Sequence, residues 1–314
     1  MCKVWNKNAF LLLMICMVCQ LQAKDKDDDD DGEESLSTER ASTPASPLRQ
    51  QLLQASRARS FVPPSSQEVA QAEQLFARAF AGESASALQA AARALQMEAS
   101  QQGPLLILQE AENARRGRGF FVFRAQGHLV LQTPHSFKDE MTRDIGLGLF
   151  AQGPFRAGAW NTVPRRFADG QGGEVNADMA HLPQTWFLAF TRASARVKGL
   201  QRTLQIHGFE AAKRKSAALQ EAELILSAGH ARPGPWLQQA RACLQKNLQR
   251  NISLFGEDAR ELGATTNQQA AALRAADSGM EFVHVEMSRE LRRDMKQDPA
   301  LRMQWLNCLA GAAK

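Results

Sequence analysis

The stretch Leu129–Thr142, LVLQTPHSFKDEMT, contains an apolar run that stops at a proline and is followed at once by a histidine and two acids. A continuous apolar run of this length is typical of a strand buried on both faces. His135 follows the end of that strand, and Asp139 and Glu140 stand four and five residues further on. An imidazole and carboxylates at this place indicate either metal ligands or ordinary solvated charges at a strand end.

Seven further segments have the composition of short strands, and helical stretches separate them. Together with 128–132, the strand candidates are 105–108, 119–124, 157–163, 203–206, 223–227, 252–255 and 281–287. The helix candidates are 142–150, 183–197, 235–250, 268–276 and 288–296. Alternating strands and helices predict an α/β fold whose sheet is mostly parallel or mixed and covered by helices on both faces. We assign this α/β domain to residues 104–314.

An alanine-rich segment precedes the domain. Residues 66–100 carry Leu, Phe and Ala at helical spacing, with one break near Gly82, and Gly103 and Pro104 close the segment. We therefore predict an N-terminal helical segment over residues 65–103.

The first residues have the pattern of a signal peptide. Lys3 and Lys7 precede the apolar run Ala9–Val18, and a possible cleavage site ends at Ala23. We predict a signal peptide over 1–23 and a periplasmic or secreted protein without stable membrane insertion after cleavage; a retained N-terminal anchor is the alternative. The acidic, Ser- and Pro-rich residues 24–64 predict a disordered leader, because they contain too little apolar surface to offset the entropy of ordering.

Cysteine content and charge narrow the class of protein. Cleavage after residue 23 leaves Cys243 and Cys308. These two cysteines either form a disulfide in an oxidising compartment or remain free thiols that pack as small buried apolar side chains. The whole chain carries +5; residues 35–314 carry +9 once Lys3, Lys7 and the eight acids and two lysines of 24–34 are set aside. A moderately basic body suits an anionic substrate. Nucleic acid is not favoured as a partner, because the sequence has no dense Lys/Arg stripe interleaved with aromatic residues; the oligomeric state is left open.

Polar residues follow several of the predicted strands. In open α/β sheets, ligand sites gather beyond the carboxyl ends of the strands, so residues at different strand ends are expected to meet. His135 and His207 each follow a strand, with Asp139 or Glu140 near the first histidine. Two imidazoles and one carboxylate are the donor set of a catalytic zinc site with an open fourth position.

The late strand EFVHVEM carries Glu286 near its end. Glu286 is either a general base that passes a proton to the leaving amine or an acid that pairs with Arg289 or Arg292 in the following helix. His284, at an alternating position of the same strand, is interpreted as a core or face residue.

Three further residues are candidates for substrate binding. Arg165 and Arg289 offer the planar bidentate donors that suit a substrate carboxylate, and Asn161 is a neighbouring hydrogen-bond donor. Asp178 and His181 form either an acid–histidine pair that orients the site or part of the cap of the helix near residue 183. We favour capping for Asp178 and leave His181 open.

Five segments, taken in order, resemble a known family: PHSFKDEMTRDIG, AWNTVPRR, ADMAHLPQTWFLAFTRA, LQIHGFE and FVHVEMSRELR. They are similar to the zinc amidohydrolases and peptidases that include N-formylglutamate amidohydrolases and poly-gamma-glutamate hydrolases, whose core resembles that of zinc carboxypeptidases. The resemblance covers roughly residues 105–296. It implies zinc as cofactor, His135 and His207 as ligands and Glu286 as the base. Alignment on the following threonine favours Asp139 as third ligand, and counting from the histidine favours Glu140.

The sequence thus predicts an exported zinc-dependent hydrolase of amide bonds in carboxylate-rich, peptide-like substrates, such as gamma-glutamyl, N-acyl amino acid or cell-wall peptides. The alternative is a non-catalytic ligand-binding envelope protein on the same fold. A serine hydrolase is disfavoured, because the sequence contains no G-x-S-x-G motif.

Overall fold

A computed structural model describes residues 46–58, 60–168 and 173–311. The predicted signal peptide (1–23) and the first part of the predicted leader (24–45) lie outside the described residues. In the described part, no helix is long and apolar enough to span a bilayer.

The strands of the described residues are β1 Met97–Gln102, β2 Leu105–Glu110, β3 Phe120–Phe123, β4 Leu129–Thr133, β5 Phe155–Trp160, β6 Arg166–Ala168, β7 Glu174–Asn176, β8 Arg202–Gly208, β9 Leu224–Ser227, β10 Ile252–Leu254 and β11 Glu281–Met287. The helices are α1 Pro47–Ala55, α2 Ser66–Phe80, α3 Ala85–Ala94, α4 Thr142–Gln152, α5 Trp186–Ala195, α6 Ala217–Gln220, α7 Pro235–Leu248, α8 Gln268–Ala276, α9 Arg289–Gln297 and α10 Pro299–Leu309.

Nine of these strands form one mixed sheet in the order β1-β2-β3-β5-β4-β8-β11-β9-β10, and β6 and β7 form a separate ribbon. The four central strands β5, β4, β8 and β11 run parallel, whereas β1, β2, β3 and β5 pair antiparallel, as do β11 and β9. The predicted α/β class with a mostly parallel or mixed sheet is therefore confirmed, in its mixed form.

Side chains of the central strands alternate between two faces of the sheet, and both faces are buried. One face packs Leu131, Ile206 and Val285 against helices α4, α7, α9 and α10. The other packs Val130 and Phe282 against α2, α5 and α8. A disulfide between Cys243 and Cys308 joins α7 to α10, so the two cysteines pair.

The N-terminal part departs from the prediction in two places. Helix α1 lies within residues 24–64, which the sequence predicted as a disordered leader, and Leu52 of α1 is fully buried in the core. The predicted break near Gly82 is confirmed, since α2 ends at Phe80 and Gly82 has a positive φ of 86°.

The predicted helix does not continue to residue 100, however, because β1 begins at Met97 and forms an antiparallel hairpin with β2. The boundary placed between 103 and 104 falls in that hairpin, and α2 packs on α5 through Phe76 and Phe190. The segment 65–103 is therefore part of the α/β unit. Its apolar helical face is buried against the sheet, which alanine periodicity alone does not reveal.

Candidate metal centre

Polar side chains occupy one face of the central sheet toward its carboxyl end. Alternation places Leu204 and Ile206 of β8 on one face and Gln205 and His207 on the other. In the parallel register, His207 is opposite Glu286 of β11 and Gln205 is opposite His284. The sheet therefore places His207, Glu286 and His284 together, although they are far apart in sequence.

The loop after β4 brings His135 to the same place. The backbone N–H of Ser136 donates to Oδ1 of Asn161 (2.7 Å), and Nδ2 of Asn161 donates to the carbonyl of Val163 (2.6 Å). Asn161 is buried and ties the end of β4 to the end of β5. Its amide shapes the loop, and its role as a substrate-binding donor stays a prediction.

The two candidate acids, Asp139 and Glu140, have different surroundings in the turn that follows His135. The N–H of Asp139 donates to the carbonyl of His135 (2.9 Å), which places the Asp139 side chain beside the imidazole. Glu140 points the other way: its side chain is 59% exposed and lies 3.4 Å from Arg289. Asp139 therefore belongs to the centre and Glu140, the predicted alternative ligand, does not.

Three potential metal-ligand atoms, from His135, Asp139 and His207, lie close together. Nδ1 of His135 lies 3.2 Å from Nδ1 of His207, and Oδ2 of Asp139 lies 3.6 Å and 3.3 Å from these two nitrogens. All three side chains are buried, and within the described residues Oδ2 of Asp139 has no hydrogen-bond partner. A buried, unsatisfied carboxylate oxygen facing two imidazole nitrogens is the arrangement expected of a cation site.

The spacing of the three atoms fits zinc. Tetrahedral zinc with bonds of about 2.0–2.2 Å sets its ligand atoms about 3.3–3.6 Å apart. The observed separations of 3.2, 3.3 and 3.6 Å are close to this range. Two histidines and one acid also leave a fourth position for water or substrate, as catalytic zinc sites do. His135, Asp139 and His207 thus have the chemistry and the spacing to hold the ion.

Asp178 contacts His135 at Nε2, the ring nitrogen that does not face Asp139 and His207. Its Oδ1 lies 2.9 Å from Nε2 of His135, while its Oδ2 accepts from Arg165 (2.7 Å) and lies 2.9 Å from Nδ1 of His181. Helix α5 is capped instead by Thr185, so the capping role favoured for Asp178 is wrong. Carboxylates in this position orient a metal-binding imidazole and raise its basicity.

His181 and Arg165 therefore act on the centre indirectly. His181 reaches Asp178, not the converging donor atoms, and its side chain is 40% exposed. Arg165, predicted to bind substrate, directs Nε and Nη2 to Asp178. Arg289, the other predicted substrate arginine, lies at the exposed edge with Glu140.

Glu286 is buried beside the converging donors. The side chains of His207, His284 and Glu286 each offer a ligand-type atom within 4.8 Å of the others. Nε2 of His284 lies 3.6 Å from Oε1 of Glu286, and Oε2 of Glu286 has no hydrogen-bond partner in the described residues. The sequence analysis left His284 as a core or face residue. The alternation of FVHVEM, which puts His284 on the same face as Glu286, is the sequence signal for its position.

Burial and neighbouring charges separate the pKa values of these groups. Burial alone lowers the pKa of His135, but the carboxylates of Asp139 and Asp178 outweigh it and raise that pKa to about 9. Burial lowers the pKa of His207 to about 4, against the opposing effect of Asp139. Burial, together with the negative charge of Asp139, raises the pKa of Glu286 to about 8.

Two arginines lie near Glu286: Arg292, which the sequence offered as an ion-pair partner of Glu286, and Arg214, which the sequence analysis did not place at the site. The positive charges of Arg214 and Arg292 favour the ionised form of Glu286. Arg292 is buried, donates from Nη1 to the carbonyl of Met287, and packs so closely on Gly208 that a Cβ there would lie 1.8 Å from Nη1. A side chain at position 208 would therefore displace the guanidinium group of Arg292.

No protein-family model matches the sequence, and no curated protein matches it. The structure is similar to that of a bacteriophage poly-gamma-glutamate hydrolase, with a TM-score of 0.35 and 10% identity over 62% of this chain and 86% of that chain. It is also similar to the tripeptide-bound cell shape determinant Csd4 from Helicobacter pylori, with a TM-score of 0.38 and 14% identity over 59% of this chain and 51% of Csd4. A third similar structure is the N-acetylmuramoyl-L-alanine amidase of Clostridium difficile 630, with a TM-score of 0.31 and 9% identity over 59% of this chain and 95% of that chain.

The chain spans about half the length of Csd4. A poly-gamma-glutamate hydrolase is among the structures that the fold is similar to, as the sequence resemblance predicted.

Proposed function

We propose that this chain is a zinc-dependent hydrolase of amide bonds in carboxylate-rich, peptide-like substrates. The observation that carries the proposal is the convergence of His135, Asp139 and His207, whose facing atoms are 3.2–3.6 Å apart, beside a buried glutamate. These three side chains would hold the ion. When bound, zinc supplies a Lewis acid that polarises a carbonyl and makes water more acidic.

Glu286 is the proposed general base. Its Oε2 has no partner among the described residues, so it is available to accept a proton from water and to release it to the nitrogen of the leaving amine. Burial and the negative charge of Asp139 raise the pKa of Glu286 above its ordinary value, which makes its carboxylate a stronger proton acceptor.

The positive side chains around the centre support an anionic substrate. Arg292 and Arg214 lie near Glu286, and Arg289 lies at the exposed edge beside Glu140. A guanidinium group matches a carboxylate in geometry and charge. We therefore propose gamma-glutamyl, N-acyl amino acid or cell-wall peptides as the substrate class.

We also propose that the protein acts in the periplasm or as a secreted protein. The disulfide between Cys243 and Cys308 supports this location, because disulfides persist in oxidising compartments. The signal-peptide pattern of residues 1–23 supports it as well.

The test combines metal analysis with a substitution of the base. We expect about one zinc ion per chain in the purified protein, and Glu286→Gln should keep the metal while turnover of a panel of gamma-glutamyl, N-acyl amino acid and cell-wall peptides falls by about 10²–10⁴-fold. Glu281→Gln, on the same strand but at its opposite end and paired with Arg202, is the matched control and should change neither.

Absence of stoichiometric zinc refutes the proposal. Zinc without turnover of any peptide in the panel favours the alternative, a ligand-binding protein on the same fold.

A further inference from the structure

A cluster of four amide side chains lies beneath His207. It consists of Gln132 on β4, Gln205 on β8, and Asn267 and Gln269 at the start of α8, and all four are buried. We refer to these four residues as the amide cluster. None of them had a role in the sequence analysis, and a buried polar group is tolerated only when its hydrogen bonds are satisfied.

Gln205 uses its full hydrogen-bonding capacity at the centre of the amide cluster. Its Nε2 donates to Oε1 of Gln132 (2.8 Å) and to Oε1 of Gln269 (3.2 Å). Its Oε1 accepts from Nδ2 of Asn267 (2.6 Å) and lies 3.0 Å from Nε2 of His207. Two N–H groups and two oxygen lone pairs are all that a primary amide offers, so each position around Gln205 is taken.

The backbone determines the orientation of Asn267. Its Oδ1 accepts from the N–H groups of Gln269 and Ala270 as the N-cap of α8. An oxygen at that place is required by the unpaired N–H groups of the first helical turn. Nδ2 of Asn267 must therefore face Gln205, and the atom that it meets must be an acceptor.

Two further contacts orient Gln205 in the same sense. Nε2 of Gln269 donates to the carbonyl of Met179 (2.8 Å), which leaves its Oε1 facing Gln205. Nε2 of Gln132 donates to Oγ1 of Thr191 (2.8 Å), whose own proton goes to a backbone carbonyl of α5, so Oε1 of Gln132 also faces Gln205. Each of the three chains of hydrogen bonds ends on a backbone group whose polarity cannot change.

We propose that the amide cluster fixes the tautomer of His207, with Gln205 as the positioning residue. Because Oε1 of Gln205 can only accept, Nε2 of His207 must carry the proton, and the lone pair of Nδ1 then points at the place shared with His135 and Asp139. The opposite tautomer would set two acceptors 3.0 Å apart. If the Gln205 amide were rotated by half a turn, its Nε2 would face the donor Nδ2 of Asn267, and its Oε1 would face the acceptor Oε1 atoms of Gln132 and Gln269.

This inference rests on the proposed metal site for its consequence, which is tighter zinc binding, but not for the tautomer itself. Neutral partners that orient a ligating histidine change metal affinity by about 10–100-fold. The amide cluster would prepare His207 for a cation before the cation arrives.

The experiment uses the full chain in metal-free and zinc-titrated form. We expect the long-range ¹H–¹⁵N spectrum of metal-free wild type to show His207 as the Nε2-protonated tautomer. Gln205→Leu should show a mixture of tautomers and a zinc Kd raised about 10–100-fold by calorimetry. Thr203→Val is the matched control: Thr203 lies on the same strand two residues earlier, is equally buried, and has an Oγ1 without a partner in the described residues, so zinc Kd and tautomer should stay unchanged.

Asn267→Asp is a second variant in case Gln205→Leu does not fold. Aspartate keeps the cap of α8 but replaces the donor that faces Gln205 with an acceptor, so it should weaken zinc binding about tenfold or more. Wild-type Kd and wild-type tautomer in a folded variant of either kind overturn the role of the amide cluster.

His207→Ala tests the metal site separately. If it binds zinc like the wild type, the proposed function fails, while the tautomer in the metal-free protein still decides for or against the amide cluster.

Discussion

Asp139 and Glu140 are adjacent acids with opposite surroundings, so two amide substitutions separate a ligand from its neighbour. Asp139→Asn removes the charge of a carboxylate whose Oδ2 lies 3.3 Å from His207 and 3.6 Å from His135. Glu140→Gln changes a side chain that is 59% exposed. We expect zinc to bind much less tightly to Asp139→Asn and as tightly as before to Glu140→Gln.

The magnitude follows from the number of protein ligands. A structural zinc site with four ligands binds with about 10–16 kcal/mol, so one ligand contributes roughly 2.5–4 kcal/mol. This corresponds to a Kd raised about 10²–10³-fold. At a zinc concentration of about 1,000 times the wild-type Kd, binding stabilises the folded wild type by about 4 kcal/mol and Asp139→Asn by about 0.4–1.4 kcal/mol.

Thermal unfolding with and without zinc measures this difference. At about 2–4 °C per kcal/mol for a chain of this size, zinc should raise the Tm of wild type and Glu140→Gln by about 8–16 °C and that of Asp139→Asn by at most about 6 °C. An equal rise in wild type and Asp139→Asn would refute the assignment of the third ligand. So would a loss of the rise in Glu140→Gln.

Three other substitutions test the supporting structure. Asp178→Asn removes the charge that faces His135, the first of the two proposed histidine ligands, and should raise the zinc Kd about 10–100-fold, measured by calorimetry. An unchanged Kd would contradict the orienting role of Asp178. A hydrogen bond from Arg118, opposed by burial, lowers the pKa of Glu68 from 4.5 to about 2, so its stabilising effect is complete above pH 4.5 and is lost as the pH falls toward 2. Glu68→Gln should therefore be about 1–2 kcal/mol less stable than wild type in urea at pH 7 and equally stable near pH 2, and a difference that does not depend on pH would exclude this ion pair as the cause. Replacing Cys243 and Cys308 by serine opens a loop of 65 residues and should lower the free energy of unfolding by about 4 kcal/mol in denaturant, with reduced wild type matching the variant.

Much of the fold could be predicted because the strands and helices have strong local signals. The apolar runs that end at His135, His207 and Glu286 are strands, and parallel strands bring their carboxyl ends to one edge of the sheet. β1 was missed, since Met97–Gln102 is neither apolar nor regularly alternating. It is a strand because it pairs with β2, which is a tertiary cause that a local pattern does not contain.

The supporting residues of the centre were harder to predict. Asp178 follows no predicted strand, and only the folded loop brings its carboxylate to Nε2 of His135. Gln205 lies within a strand of otherwise buried residues, and its role depends on side chains from β4 and α8. Neither contact leaves a trace in sequence spacing.

The amino-acid sequence by itself determined the central strands of the sheet and the two histidines and one glutamate near their ends, because apolar composition and strand periodicity are local properties of the chain. Only the tertiary structure decided that Asp139 rather than Glu140 faces these histidines, and that Arg165 binds Asp178. The physical reason is that adjacent residues of a turn point in different directions, so that one acid faces the centre and the next faces solvent. Hydrogen-bond partners that are distant in sequence come within reach of one another only after the strands have paired.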